Sequence, residues 1–343
     1  MYINYIKSYF PDEVVDNKFF EERLDTTNEW IVSRVGIKER RRCREDNPTV
    51  FVGVNAVRRL PKEALANLDC IIVGTSVAQW HAPSTANLIA KELDIDGVPC
   101  FDIRAACSSF IYGIKVIEGL LATGYQRVLF IVPEVFSGVL DYADRASSIL
   151  LGDGAVACVV SNDPFGFEVM DLFIDAKSSG AYSIRVPVGG YFFQEGNKVQ
   201  NFAVRYSIKA TLDLLKRNKL AAKDIDYLVL HQANLEMMKS VVDNLGLKRN
   251  QLLHNIEHYG NTGAAGAPSV LAENWFKIKQ DEKVLITVVG AGLSWGSMLL
   301  KRIKRRRRVG LGGRVLREPD FRWGMDFLNK LSRILDLKGK KRV

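Results

Sequence analysis

FDIRAACSSFIYGI, residues 101–114, sets a short apolar strand ending near Ile103 against a turn of small residues and then a helix. A strand running directly into a helix is the unit of an α/β sheet. The turn also carries Cys107, whose thiol would sit at a helix N-terminus, where unpaired N–H groups and the positive dipole end favour a thiolate. That position is expected to expose the thiol and lower its pKa. A small Cys in a tight turn is also a common packing choice, so the segment alone leaves both readings open.

Further strands lie on either side. Cys70 to Gly74 (CIIVG), Arg127 to Val132 (RVLFIV) and Ala155 to Val160 (AVACVV) are nearly continuous apolar runs, as expected of strands covered on both faces. Helical patterns fall at 84–93 and 108–123. The same order returns downstream, with YLVLH at 227–231, helices over 235–245 and 264–278, then VLITVV at 284–289 and SMLLKR at 297–302. The duplication predicts two similar α/β halves, residues 1–165 and 166–303, followed by an extension over 304–343.

With 343 residues and 47% apolar content, the chain can bury a large core. It has no run of about 18 apolar residues, and its N-terminus does not have the pattern of a signal peptide, so a cytoplasmic location is expected. Its five cysteines (43, 70, 100, 107 and 158) are scattered, and the spacing implies neither a disulfide frame nor a metal site. The net charge of +9 belongs to the end of the chain. Residues 301–343 hold 16 Lys and Arg against 4 Asp and Glu, while the remainder is slightly acidic, with 32 against 35.

Two polar residues in the second half complete a constellation. His231 ends the apolar strand of LVLHQAN, and Asn261 sits in HYGNTGAAGAPSVL, a Gly-rich turn opening a helix. Strand ends and helix starts of an α/β sheet converge on one crevice. Taken singly, the His reads as a structural residue and the Asn as a turn former.

DTTNEWIVSRVGIKERR (25–41), DIRAACSSFIYG (102–113), DRASSILLGDGA (144–155), HQAN (231–234), GNTGAA (260–265) and GAGLSWGS (290–297) follow one another in the chain. In that order they resemble the signatures of β-ketoacyl-acyl carrier protein synthase III, a condensing enzyme of thiolase-like fold. The resemblance covers residues 1 to about 303. It implies five layers, αβαβα, and a triad of Cys107, His231 and Asn261. Cys107 would take an acyl group from a thioester. His231 and Asn261 would donate hydrogen bonds to the enolate left when a malonyl thioester loses carbon dioxide, and the backbone N–H groups of Cys107 and Ala291 would form an oxyanion hole. Thr26, Trp30, Arg34, Arg145 and Asn234 match coenzyme A contacts, with Trp30 and Arg145 sandwiching the adenine. No metal or other cofactor is implied. The coenzyme A thioester and the acyl carrier protein are substrates, with acyl-coenzyme A or an acyl-carrier protein as donor and malonyl-acyl carrier protein as acceptor. A homodimer is expected.

Several positions depart from the family pattern. Glu236 stands where a basic residue is usual, which would weaken docking of an acidic carrier. Ala82 replaces a bulky aromatic that would reach into the partner subunit's acyl pocket, and Gln194 and Gln200 stand near usual Met and Phe positions, which implies an altered acyl pocket and a long, branched or functionalised primer. Ala291 replaces a glycine. KRIKRRRR (301–308) and the amphipathic MDFLNKLSRIL (325–335) form a basic extension suited to an acidic carrier protein or an anionic membrane surface, or else to packing on the enzyme itself. Nucleic acid is disfavoured because no recognised binding fold surrounds the run. Two other functions stay open: an acyltransferase of this fold that passes the group on without decarboxylation, and a non-catalytic partner of another synthase.

Overall fold

A computed structural model of the chain describes residues 1–303. The basic extension read at 304–343 lies outside the described residues. Ten strands form one sheet: β1 (Tyr2–Tyr9), β2 (Cys70–Gly74), β3 (Cys100–Ile103), β4 (Arg127–Val135), β5 (Asp153–Ser161), β6 (Gly166–Ala176), β7 (Tyr227–Leu230), β8 (Leu252–Leu253), β9 (Lys283–Gly290) and β10 (Ser294–Ile303). Seven helices bear on the argument: α1 (Asn28–Val35), α2 (Pro48–Arg58), α3 (Thr85–Glu92), α4 (Ser109–Ala122), α5 (Gly196–Arg217), α6 (Leu235–Asn244) and α7 (Gly266–Glu273).

The strand order is β8-β7-β9-β10-β6-β1-β5-β4-β2-β3, and it repeats itself. In the first five strands, β3, β2 and β4 are parallel, and β5 and β1 then alternate antiparallel. In the last five, β8, β7 and β9 are parallel, and β10 and β6 alternate in the same way. A short antiparallel contact, Tyr2 and Ile3 against Glu168 and Phe167, joins the two sets.

Helices make the other layers. α4 packs on β2 and β4 from one set and on β6 and β10 from the other, and α7 likewise touches β1, β5 and β7. These two form the central layer. α2 and α3 cover the outer face of the first five strands, and α5 and α6 cover that of the last five. The arrangement is the five-layered α/β fold of the thiolase type. Strands covered on both faces have no solvent side, so β4 and β5 read as apolar runs without alternation. The central layer buries Phe110, Ile114 and Ile117 of α4 against Phe130 of β4 and Met298 of β10.

Some expectations change at element ends. β4 and β5 run two or three residues beyond their apolar letters, and the helix expected over 264–278 spans only Gly266–Glu273. It stops there because Asn274 turns back, its Nδ2 donating to the Val270 carbonyl at 2.9 Å.

Contact between α4 and β4 leaves no room at Gly113, where a β-carbon would stand 2.1 Å from the Phe130 ring. Gly113→Ala is expected to destabilise the fold by about 1–3 kcal/mol through overpacking, measured by chemical denaturation. An unchanged midpoint would contradict this packing.

Candidate active site

β3 ends at Ile103, and one tight turn over Ala106–Ser108 leads into α4. Ala106, immediately before the cysteine, has φ +46°, a left-handed conformation that costs a residue with a side chain. The turn is held by its neighbours. The Ala105 N–H donates to Ser109 Oγ at 3.0 Å, and the Asp102 carboxylate accepts the first N–H groups of α3, from Thr85 at 2.7 Å and Ala86 at 2.8 Å. Strand end and helix start are thereby fixed together.

His231 follows β7 directly, its backbone N–H donating to the Thr287 carbonyl of β9 at 2.9 Å. It is buried, and its Nδ1 has no hydrogen-bond partner among the described residues. Asn261 forms an isolated bridge with Leu151. Its N–H donates to the Leu150 carbonyl at 2.8 Å, and its own carbonyl accepts from Gly152 at 3.0 Å. The side-chain Oδ1 accepts the Gly263 N–H at 2.9 Å, so Nδ2 is left as the donor of that amide.

Cys107, His231 and Asn261 line one cavity of about 380 Å³. Gly290, at the end of β9, lines it as well. A β-carbon on Gly290 would lie 2.9 Å from the Ser108 nitrogen and 3.1 Å from that of Cys107. The loop after β9 therefore passes directly over the cysteine turn. Ala291 is not among the lining residues; its carbonyl accepts from Ser294 Oγ at 2.8 Å, and that hydroxyl lies 3.0 Å from Ser108 Oγ.

The resting electrostatics differ from the expected thiolate. Burial pushes the Cys107 thiol up to about 12, and the Glu134 charge adds to it. Enclosure of the sulfur outweighs the helix N-terminus, because a charge in a low-dielectric site is penalised more than one turn of peptide dipoles relieves. Burial also pulls His231 down to about 4, so the imidazole is neutral.

Other expected contacts fall at various distances from the cavity. Trp30, Arg145, Asn234, Gln194 and Gln200 line it. The Arg145 guanidinium lies 4.9 Å over the Trp30 ring, so the two flat groups meet each other directly and would have to part to admit a base. Asn234 caps α6 by accepting the Met237 N–H at 3.1 Å and ties it to α1 through the Arg34 carbonyl at 3.0 Å. Thr26, Arg34 and Ala82 are not brought to the cavity; Ala82 is exposed. Glu236 is paired with Lys239 at 2.7 Å in the first turn of α6, which partly offsets its charge.

Glu134 is the residue that the sequence analysis passed over. It is fully buried, and burial raises its carboxyl to about 7. A carboxylate inside the otherwise apolar RVLFIVPEV was the available signal, since a buried acid needs partners.

Comparison with known proteins agrees with this architecture. Residues 101–178 match the family described as 3-oxoacyl-(acyl-carrier-protein) synthase III, and residues 215–302 match its C-terminal part. A beta-ketoacyl-(acyl-carrier-protein) synthase III of Deinococcus deserti is 35% identical, covering 86% of this chain and 89% of the relative. One from Caldanaerobacter subterraneus is 34% identical, covering 86% and 95%. The crystal structure of 3-oxoacyl-(acyl-carrier-protein) synthase III from Aquifex aeolicus superposes with a TM-score of 0.83 at 31% identity, covering 88% of this chain and 99% of that one.

The low His231 pKa has a direct signature. Folding favours the neutral imidazole, so the stability it contributes is present above the unfolded value of 6.5 and is lost as pH falls from there towards 4. The ring ¹⁵N shifts of His231 are expected to remain those of a neutral imidazole from pH 8 down to 5. A titration midpoint near 6.5 would contradict the burial.

Proposed function

The chain belongs to the 3-oxoacyl-(acyl-carrier-protein) synthase III family, and we propose that it joins an acyl thioester to malonyl-acyl carrier protein with loss of carbon dioxide. The observation that carries this reading is the shared cavity of Cys107, His231 and Asn261, drawn from three separated segments. In this reading residues 1–165 supply the nucleophile and residues 166–303 supply His231 and Asn261.

The residues suggest a sequence of steps. The Cys107 sulfur attacks the acyl carbonyl, the carrier thiol leaves with the proton, and the acyl group rests on the enzyme. Malonyl thioester then loses carbon dioxide, and its electron pair moves into an enolate. A neutral His231 and the Asn261 Nδ2 suit that charge as hydrogen-bond donors, because neither brings a carboxylate-attracting ion that would hold malonate in its ground state. The enolate carbon attacks acyl-Cys107, and the Cys107 N–H, joined by that of Ala291 once the loop after β9 turns towards the cavity, receives the tetrahedral oxyanion. Collapse expels the Cys107 thiolate, which takes a proton from solvent, and releases a β-ketoacyl carrier protein.

For substrate binding, the reading assigns the acyl and pantetheine channel to the side of the cavity bearing Gln194 and Gln200. Two amides among apolar neighbours such as Ile184, Phe192 and Phe202 suit a primer with a polar or branched group better than a plain short chain. Trp30 and Arg145 would part to hold the coenzyme A base, with Thr26, Arg34 and Asn234 supporting them. The proposed enzyme is a cytoplasmic homodimer, with Ala82 facing its mate. Among the described residues, no helix is long and apolar enough to cross a membrane.

Two variants separate the half-reactions. Cys107→Ala is expected to show no acyl adduct by intact-protein mass spectrometry. Asn261→Ala is expected to acylate normally while condensation falls about 100-fold to 1000-fold, the scale of losing one such donor. Equal loss of both half-reactions in Asn261→Ala would count against its role at the enolate.

A further inference from the structure

Alternation along β4 puts Glu134 on the same face as Phe130 and Val132, turned towards the central helices. Each of its oxygens meets one fixed and one rotatable donor. Oε1 accepts from the Ala264 N–H at 3.3 Å and the Ser76 hydroxyl at 2.8 Å. Oε2 accepts from the Ser76 N–H at 2.9 Å and the Thr75 hydroxyl at 3.4 Å. Thr75 and Ser76 follow β2, and Ala264 lies three residues after Asn261. Between them, a β-carbon on Gly263 would stand 3.1 Å from Oε1, so the Asn261 turn runs directly over the carboxyl. The Gly263–Ala265 turn that covers the carboxyl also packs on the Ala106–Ser108 turn, which places the Glu134 charge where it raises the Cys107 thiol.

This donor set requires a carboxyl group. An amide of the same shape would turn its NH₂ towards one of the two backbone N–H groups. A carboxylate accepts from all four donors, and a protonated carboxyl can donate to either hydroxyl, which rotates to receive it. Both charge states therefore fit the same backbone.

The groups facing Glu134 leave Cys107 as its titrating neighbour. The flanks from the β2 loop and the Asn261 turn are Thr75, Ser76, Gly263 and Ala264, which do not titrate. β5 sets Gly154 opposite it, and Asp153 lies beside Val135 on the other face of the sheet. His231, across the cavity, is neutral above about 4.

We propose that Glu134 is a positioning residue for the condensation, seating the Asn261 turn against the cysteine loop while its negative charge opposes thiolate formation at Cys107. The inference rests on the roles read above for Cys107 and Asn261. Glu134 itself does not line the cavity shared by Cys107, His231 and Asn261.

The test compares wild type, Glu134→Gln and Glu134→Asp. Iodoacetamide alkylation of Cys107 is followed by mass spectrometry from pH 6 to 10, alongside kcat and KM for condensation and a thermal midpoint. Glu134→Gln is expected to alkylate about tenfold faster at pH 8, the effect of a one-unit fall in thiol pKa, while condensation kcat falls about tenfold or more and KM for the acyl thioester is unchanged. Glu134→Asp, which keeps the charge on a shorter arm, is expected to alkylate like wild type and to lose kcat. A purely structural role would not make alkylation and condensation move in opposite directions. Unchanged alkylation in a folded Gln variant, or unchanged kcat in either variant, would overturn the proposal. Should Glu134→Gln not fold, the Asp variant decides alone: altered alkylation or wild-type kcat would overturn it. A failure of the parent reading looks different, with no acylation at Cys107 in the wild type.

Discussion

The passage of Gly290 over the cysteine turn is the constraint on which the site depends. No side chain fits there, because the Cys107 and Ser108 nitrogens occupy the space that a β-carbon would need. The end of β9 is thereby fixed against the start of α4, and the two sets of five strands meet at the nucleophile. A second close approach works alongside it. Asn261 is bound on both backbone sides to the 150–152 segment, so the turn that bears it cannot drift away from the first half of the chain. Three segments far apart in sequence share one cavity because glycines and backbone hydrogen bonds hold them there.

The triad of Cys107, His231 and Asn261 carries no charge at rest. Its thiol is protonated, its imidazole is neutral, and both states follow from burial. Such a site gives a resting anion little stabilisation but strengthens hydrogen bonds to charge that develops during reaction, since fixed donors act there without competing water. The expectation of a preformed thiolate considered the helix dipole alone. The surrounding layers reverse it, and they appear in the sequence only as apolar strands whose packing on the turn is a tertiary fact.

Much of the architecture was nonetheless legible. CIIVG was read at its full extent, and the repeated order of strands and helices anticipated the repeated strand order of the sheet. His231, Asn261 and Cys107 were each identifiable and share a cavity. The rest was hidden for particular reasons. β1 breaks its apolar run at Asn4, a buried side chain whose Nδ2 donates to the Asp163 and Phe165 carbonyls, and α5 is a long helix whose low mean hydropathy hid it in the letters. Glu134 was lost within an apolar strand, since its four donors come from two other segments. Ala82 is exposed and does not line the cavity of Cys107, so its expected part in an acyl pocket has no counterpart among the described residues around that cavity.

The central claim is that Cys107 carries an acyl group which a decarboxylated malonyl unit then removes. It is tested most directly by loading the enzyme from a panel of acyl thioesters, locating the added mass by peptide mapping, and then chasing with malonyl-acyl carrier protein while trapping carbon dioxide. The account predicts one acyl group on Cys107, discharged with one carbon dioxide per β-ketoacyl product. An acyl group on another residue, or one discharged with no carbon dioxide released, would contradict it.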